Sequence, residues 1–280
     1  MVNDSLVLRI AGRPVGRYIT RPELPPRLSP RPYLHPVTTL AGTSVTELSP
    51  ADHTHHLGVG VAVPDVEGHN FWGGRTFVRD QGPTELDNHG AQRHSAFQLC
   101  DPDGFVEELR WVAAGGELLR ERRTVAASEL TDCAWALDFT FSLTNTTSGP
   151  LSIGSPATNG RPGAAYGGFF WRARKEAVAP AVFTLDTEGE EAAHGVCADW
   201  VALAGATWTL VFAGATEQTR QDPWFVRTAE YPGVGSSLAH EQRLEIAAGD
   251  TVVRRIITVV ADGRLERDEA SALVRKAVST

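Results

Sequence analysis

The chain has 280 residues, of which 42% are hydrophobic and 21% are charged, a composition typical of a globular protein and not of a disordered or fibrous one. The formal net charge of −8 argues against a nucleic-acid partner, because binding to a phosphate backbone requires a concentrated basic face. The three cysteines, Cys100, Cys133 and Cys197, show neither disulfide nor metal-site spacing. No signal peptide pattern and no apolar run of membrane length is present, so we expect a cytoplasmic protein without a membrane partner.

Strands separated by turn formers dominate the pattern. The first predicted strand covers residues 6–10, and residues 13–36 are rich in proline and arginine with little periodicity, which predicts an extended arm laid across the fold. In residues 133–143 apolar side chains occupy every second position, which predicts a long, half-buried strand. Further strands are predicted at residues 57–63, 106–112, 118–126, 169–174, 200–204, 207–212, 241–246 and 251–260.

Only the end of the sequence predicts a helix, at residues 265–278, with acidic residues early in the segment. Many antiparallel strands with few helices favour two packed sheets, because each sheet must bury its apolar face against another layer. We therefore predict an all-β fold: one large antiparallel β-sandwich domain over residues 1–280, galactose-mutarotase-like or jelly-roll-like, with a short C-terminal helix.

A cluster of histidines is the strongest candidate for a catalytic or metal-binding site. Residues 52–56 read Asp-His-Thr-His-His and hold three of the nine histidines in the chain. If this segment is extended, His53 and His55 point to one side and His56 to the other. Clustered imidazoles transfer protons or ligate a divalent metal, and the metal ligands here would be His53 and His55. Surface hydrogen bonding without function is the plain alternative. The predicted catalytic residues are His53, His55, His56 and His94.

Aromatic, amide and guanidinium groups elsewhere suit the apolar face and the hydroxyls of a sugar. For Trp72 the competing interpretation is core packing, and for Arg172 it is pairing with a carboxylate. The sequence has no serine nucleophile elbow, no phosphate-binding loop and no dinucleotide fingerprint. The predicted substrate-binding residues are Tyr33, His35, Asn70, Trp72, Arg161, Tyr166, Arg172, Trp224 and Arg227.

Five sequence pieces together resemble the DUF6807 family, and the resemblance covers most of the chain. At the histidine motif the usual family pattern is Asp-His-Pro-His-His-Arg-Gly, whereas this chain has Thr54 and Leu57 at the proline and arginine positions. The family is often labelled as a methane oxygenase subunit, PmoA, which conflicts with the lack of a membrane-length segment in the sequence. The pieces that carry the resemblance are residues 31–36, 52–56, 70–72, 166–172 and 223–227.

The resemblance implies bacterial carbohydrate or glycoside metabolism, since family members occur alongside sugar-directed oxidoreductases. Together with the residues above, it predicts a carbohydrate-active enzyme, a lyase or hydrolase acting on a sugar or oxidised glycoside. The competing hypothesis is a non-catalytic carbohydrate-binding or regulatory sandwich. Crowded imidazoles favour the enzyme, because a binding module needs stacking aromatics and hydrogen bonds but seldom three adjacent histidines. The expected partner is a small carbohydrate or glycoside, and assembly into a homo-oligomer stays open.

Overall fold

The computed structural model describes residues 5–279, and strands make up most of their regular structure. The first ten strands are β1 (Ser5–Ile10), β2 (Arg13–Ile19), β3 (Tyr33–Val37), β4 (Val59–Ala62), β5 (Asp65–Val66), β6 (Thr76–Val78), β7 (Gly82–Thr84), β8 (Ala91–Asp101), β9 (Gly104–Ala113) and β10 (Gly116–Thr131). The other ten are β11 (Ala134–Asn145), β12 (Leu151–Gly154), β13 (Gly168–Arg172), β14 (Ala181–Phe183), β15 (Trp200–Ala204), β16 (Trp208–Gly214), β17 (Trp224–Arg227), β18 (Gly233–Ser236), β19 (Leu244–Ile246) and β20 (Thr251–Asp262). The helices are α1 (Glu190–Ala193), α2 (Glu217–Arg220) and α3 (Arg267–Ser279).

Two large antiparallel sheets form the fold. The seven-stranded sheet has the order β1-β2-β3-β4-β13-β18-β17, and the eight-stranded sheet has the order β14-β15-β16-β20-β11-β10-β9-β8. In the larger sheet β8 to β11 are consecutive neighbours, joined as an antiparallel meander. Smaller sheets are formed by β19-β12-β5 and by β6-β7.

The main core lies between the two large sheets. Phe139 of β11 packs against Phe169 of β13 with ring centroids 5.4 Å apart, and Trp171 packs against Phe212 of β16 at 5.5 Å. All four side chains are fully buried. Two sheets that hide their apolar faces against each other confirm the prediction of an antiparallel β-sandwich.

Helix α3 covers the outer face of the eight-stranded sheet. Its residues Ala270, Val274 and Ala277 lie on one face of the helix and pack with Val211 and Val259. Acidic residues in its first turn interact favourably with the positive end of the helix dipole, as the sequence predicted. The predicted C-terminal helix is therefore confirmed, displaced by about one to two residues at its ends, as is usual for helix boundaries. Within residues 5–279, no helix has the length and apolarity needed to cross a bilayer.

Residues 13–36 are not the extended arm that the sequence predicted. Their first seven residues form β2, and β3 begins at Tyr33 and pairs with β2 in the seven-stranded sheet. Both ladders of β2 are irregular: one register shift lies opposite Leu8 and Arg9, and another lies between Gly16 and Tyr18. Each shift breaks the alternation of buried and exposed residues, so the strand has no clear two-residue period in the sequence.

A buried ionic cluster lies in the core beside β9 and β10. Arg123 donates to Glu121 from Nε at 2.7 Å and from Nη2 at 3.0 Å, and Nη1 donates to the hydroxyl oxygen of Tyr18 at 3.0 Å. Tyr18 in turn donates to the carboxylate of Glu107, whose other oxygen lies 2.6 Å from Nδ1 of His94. Burial opposes the charge of Arg123, but the carboxylate of Glu121 raises its pKa above the ordinary value. The cluster therefore keeps the guanidinium charged inside the core.

Candidate functional site

A cavity of about 420 Å³ lies on the face of the seven-stranded sheet that points away from the core. Strand β13 shows why the cavity forms there: Phe169 and Trp171 belong to the core, whereas Phe170 packs in a separate aromatic cluster on the other face. Loops close over this second face. The cavity is lined by Arg27, Asp52, His53, His55, His56, Trp72, Gly73, Gly74, Arg75, Pro83, Glu85, Arg161, Ala164, Tyr166, Phe225, Arg227, Glu230 and Tyr231.

The three motif histidines converge on this cavity. The ring centroids of His53 and His56 lie 4.6 Å apart, those of His55 and His56 lie 4.8 Å apart, and those of His53 and His55 lie 5.9 Å apart. The prediction that His56 points away from the other two is therefore wrong. The segment is a turn, closed by a hydrogen bond from the His56 N–H to the His53 carbonyl at 2.9 Å, and in a turn side chains do not alternate as in a strand.

His56 is buried and held by Arg172. Nη1 of Arg172 lies 3.3 Å from Nδ1 of His56. Because a guanidinium only donates, Nδ1 of His56 accepts, and the ring proton lies on Nε2. Arg172 also donates to Glu47 Oε2 from Nη2 at 2.7 Å and from Nε at 3.0 Å. Burial, followed by the neighbouring histidines and Arg172, lowers the pKa of His56 well below its ordinary value, so this imidazole is neutral at pH 7.

His55 lies beside a second buried arginine, Arg31. Nη2 of Arg31 donates to the His55 carbonyl at 2.7 Å, and Nη1 donates to the Trp72 carbonyl at 2.9 Å. One guanidinium thus links the histidine turn, residues 52–56, to the aromatic loop, residues 70–74. Burial and then the charge of Arg31 lower the pKa of His55 to about 3. At neutral pH the His55 imidazole is therefore an uncharged base with a free lone pair.

His53 is the third imidazole of the group. Its Nδ1 lies 3.3 Å from an Asp52 carboxylate oxygen, and within residues 5–279 this buried nitrogen has no hydrogen-bond partner. Burial opposes ionisation of Asp52, yet contact with His53 lowers the pKa of that carboxyl below its ordinary value. The ring of His53 also contacts Tyr231, with centroids 4.6 Å apart.

Aromatic side chains form one wall of the cavity. The ring centroid of Trp72 lies 4.5 Å from that of Tyr166 and 4.8 Å from that of Phe170. Tyr231 packs against His56 at 4.9 Å and lies under the guanidinium of Arg172 at 4.7 Å. Burial raises the pKa of both tyrosines above the ordinary value, so each keeps its proton and can donate a hydrogen bond.

Two predicted arginines reach the cavity. Arg161 lines it together with Tyr166. Arg227 donates to the Gly163 carbonyl from Nη2 at 2.8 Å and stacks on the Phe225 ring at 4.6 Å. With the histidines, Trp72 and Tyr166, they are the predicted site residues that line the cavity.

Other predicted site residues lie elsewhere. His94 contacts Glu107 in the core cluster, His35 contacts the Thr46 hydroxyl through Nδ1 at 2.9 Å, and Trp224 donates to the Ala198 carbonyl at 2.8 Å. Tyr33 is a buried residue of β3, outside the cavity. The prediction that these four residues share one site with the histidine motif is wrong, because none of them lines the cavity on which that motif converges.

Asn70 and Arg172 also lie outside the cavity lining, yet they position residues that line it. Asn70 Oδ1 accepts from the backbone N–H groups of Trp72 and Gly73 at 2.8 Å each, which fixes the aromatic loop. Arg172 orients His56, and its pairing with Glu47 confirms the carboxylate alternative. We therefore assign both residues to the support of the site and not to direct contact with a ligand.

The metal prediction for His53 and His55 involves only two protein donors. Among residues 5–279, no group of three or more histidine, cysteine, aspartate or glutamate side chains is arranged to hold a metal ion. A metal bound by these two imidazoles would therefore take its other ligands from water or substrate. The proton-transfer interpretation needs no such addition, because the neutral imidazoles are already present.

The low pKa of His55 gives the stability of the protein a defined pH dependence. In the unfolded chain this imidazole binds a proton below about pH 6.5, whereas in the folded protein it does so only near pH 3. Between these values the unfolded state holds more protons, so stability is lost as the pH falls, by at most about 1.4 kcal/mol per pH unit for this group. In urea unfolding between about pH 6.5 and about pH 4, a His55→Gln variant should lose stability less steeply than the wild type. Equal slopes would contradict a neutral His55.

Comparisons with known proteins place the chain in a family. A search of the curated proteins finds no match. Among solved structures, the α-galactosidase from Lactobacillus brevis is 8% identical, with a TM-score of 0.43, over 92% of this chain and 39% of that protein. A mutant of the heparan sulfate lyase HepC from Pedobacter heparinus is 9% identical, with a TM-score of 0.30, over 63% of this chain and 22% of that protein. This chain thus spans well under half the length of either protein, and at these TM-scores the similarities carry no argument.

A family model settles the relationship that the sequence motifs indicated. The model of DUF6807, a family of unknown function, matches residues 5–275. That range includes every residue that lines the cavity. The chain therefore belongs to the DUF6807 family.

Proposed function

We propose that this protein is a carbohydrate-active enzyme, a lyase or hydrolase that acts on a sugar or oxidised glycoside in the histidine cavity. The observation that carries the proposal is the convergence of His53, His55 and His56 on one cavity that Tyr166 and Tyr231 also line. A neutral imidazole accepts a proton and a phenol donates one, so the cavity holds both partners of a proton-transfer reaction.

Lyase chemistry uses this pair directly. His55 would take a proton from a carbon next to a carbonyl or carboxylate group of the sugar. The electrons of that C–H bond would form a C=C bond as the glycosidic C–O bond breaks. The leaving oxygen would take a proton from Tyr231 or from one of the other imidazoles. Atoms and electrons balance without a further reactant.

The remaining lining suits a sugar ligand. Trp72 and Tyr166 offer aromatic faces for the C–H face of a pyranose ring. Arg161 and Arg227 line the same cavity and provide donors for hydroxyl or carboxylate oxygens. Such a combination of stacking groups and convergent polar groups is what a small-molecule site requires.

The carboxylates of the cavity favour a lyase over a hydrolase. Most glycoside hydrolases use two carboxyl groups, one on each side of the scissile bond. Here Asp52, Glu85 and Glu230 are all exposed, and Glu85 is paired with Arg75 at 3.1 Å. The buried groups of the cavity are instead imidazoles and phenols.

The reaction is tested by isotope incorporation. The protein is incubated in H₂¹⁸O with neutral glycosides, uronic acid glycosides and 3-keto glycosides, and the products are identified by mass spectrometry. A lyase yields an unsaturated product without water gain, whereas a hydrolase adds one labelled oxygen. Either product supports a carbohydrate-active enzyme. Saturable binding of these glycosides without any product would contradict the enzyme and support the carbohydrate-binding alternative.

Glycine at position 74 keeps room for His55. A Cβ atom there would lie 2.9 Å from His55 Nδ1, and the residue has φ of +70°. A Gly74→Ala variant should therefore displace the imidazole and reduce turnover on the order of 100-fold. Gly68→Ala is the matched control, since Gly68 has φ of +80° but nothing within 4 Å of the added atom. Both variants should lose roughly 1 kcal/mol of stability, so equal turnover in the two would show that the position of His55 is unimportant.

A further inference from the structure

A second cavity, of about 450 Å³, opens at the edge of the eight-stranded sheet and shares no lining residue with the histidine cavity. Three arginines and a histidine line it, and among residues 5–279 no carboxylate does. This local excess of positive charge contrasts with the net charge of −8 on the whole chain. The lining consists of Thr20, Arg21, Pro22, Pro30, Ala91, Gln92, Arg93, His94 and Arg110.

Two of the arginines lie next to each other at a cost to the fold. Arg93 of β8 and Arg110 of β9 are direct cross-strand partners, and both are exposed. Like charges at directly opposed positions destabilise a sheet. Within residues 5–279, neither these two guanidiniums nor that of Arg21 forms an ion pair with a carboxylate. The described part of the chain therefore supplies no ion pair that offsets their proximity.

The floor of this cavity is rigid. The His94 side chain is only 8% exposed, and Nδ1 lies 2.6 Å from the fully buried Glu107 carboxylate. Since the carboxylate accepts, Nδ1 carries a proton, and Nε2 is the nitrogen left for the cavity. Gln92 is fixed as well, because its Nε2 donates to the Val61 carbonyl at 2.8 Å and its Oε1 accepts from Arg123 at 3.1 Å. The core cluster thus holds two polar side chains in place beneath the arginines.

We propose that this cavity binds a doubly charged oxyanion, a phosphate or sulfate group, either free or as the ester group of a metabolite. Planar guanidiniums pair with such oxyanions through two parallel hydrogen bonds, and Arg93 and Arg110 lie side by side for this purpose. The bound dianion would offset the repulsion between the two arginines. The site is independent of the histidine cavity, so its failure would leave the proposed enzyme function intact.

The test measures binding by calorimetry at constant ionic strength with inorganic phosphate, inorganic sulfate, glucose 6-phosphate and, as reference, chloride. We expect the wild type to bind at least one oxyanion in preference to chloride. An Arg93→Gln/Arg110→Gln variant should lose at least about 10-fold in affinity, since each lost charged hydrogen bond weakens binding. Tighter binding of glucose 6-phosphate than of phosphate would identify an ester as the ligand, and the reverse would identify the free ion.

The matched control is Arg174→Gln/Arg275→Gln, which removes the same charge from exposed residues that do not line the cavity. This control should bind as the wild type does. Without anion, the Arg93→Gln/Arg110→Gln variant should melt no lower than the wild type, because a repulsion has been removed. The proposal is overturned if the wild type shows no preference for oxyanions over chloride, or if both double variants lose affinity equally.

Discussion

A His55→Ala variant should lose turnover by a factor on the order of 100 to 10,000, the usual contribution of one well-placed general base. The fold should survive this change. The contact that holds the histidine turn to Arg31 uses the His55 backbone carbonyl, which alanine retains. The hydrogen bond that closes the turn is also formed by the backbone, between His53 and His56. Turnover is measured on whichever glycoside gives product in the isotope experiment, with circular dichroism as the check on folding.

A His240→Ala variant is the matched control for this experiment, because His240 does not line the histidine cavity. It should retain full turnover. Substrate affinity of the His55→Ala variant should change much less than turnover, since the stacking and guanidinium groups stay in place. Undiminished turnover in the His55→Ala variant would contradict the assignment of His55 as the base.

The largest effect on stability is expected for Arg123→Met, at about 3–5 kcal/mol. Methionine fills much of the volume but leaves the buried carboxylates of Glu121 and Glu107 without their cation. Uncompensated charge in the core costs far more than a lost surface contact. The free energy of unfolding is measured by urea titration, and the denaturant dependence should keep its slope if the variant still unfolds in one step.

Arg255→Met provides the comparison for Arg123→Met. Arg255 pairs with Asp138 at 2.6 Å, but about a third of each side chain is exposed. Exposed pairs contribute only about 0–1 kcal/mol, because water and salt screen the charges. A similar loss in the free energy of unfolding for the two arginine variants would contradict the idea that burial decides how much stability each ion pair contributes.

Strands with an unbroken two-residue period were predictable from the sequence. In β11, Trp135, Leu137, Phe139 and Phe141 lie in the main core at every second position, and the prediction for that segment agrees with the structure within a few residues. Strand β8 lacked this signal because it is the edge strand of its sheet and most of its residues are exposed. Strand β2 lacked it because two register shifts disturb its alternation.

The sequence indicated several residues that line the candidate site but not their geometry. The histidine motif, Trp72 and Tyr166 were identified because clustered imidazoles and loop aromatics are visible in the sequence itself. Tyr231 was missed, since a tyrosine in a loop has no local pattern that connects it to a histidine turn far away in the chain. Glu47 was missed for the same reason, as it pairs with Arg172 across 125 residues. Contacts of such separation depend on strand pairing, which the sequence pattern alone does not determine.

The register of strand β13 fixes the position of His56 relative to the core. Trp171 anchors the strand in the main core, and the next residue, Arg172, holds His56 on the opposite side of the same sheet. A slip by one residue would carry a guanidinium into the hydrocarbon interior and a tryptophan out of it. The depth of the imidazole is thus set by the packing of the sandwich. The rim of the cavity, at residues 73–85 and 227–230, can therefore vary while His56 keeps its position.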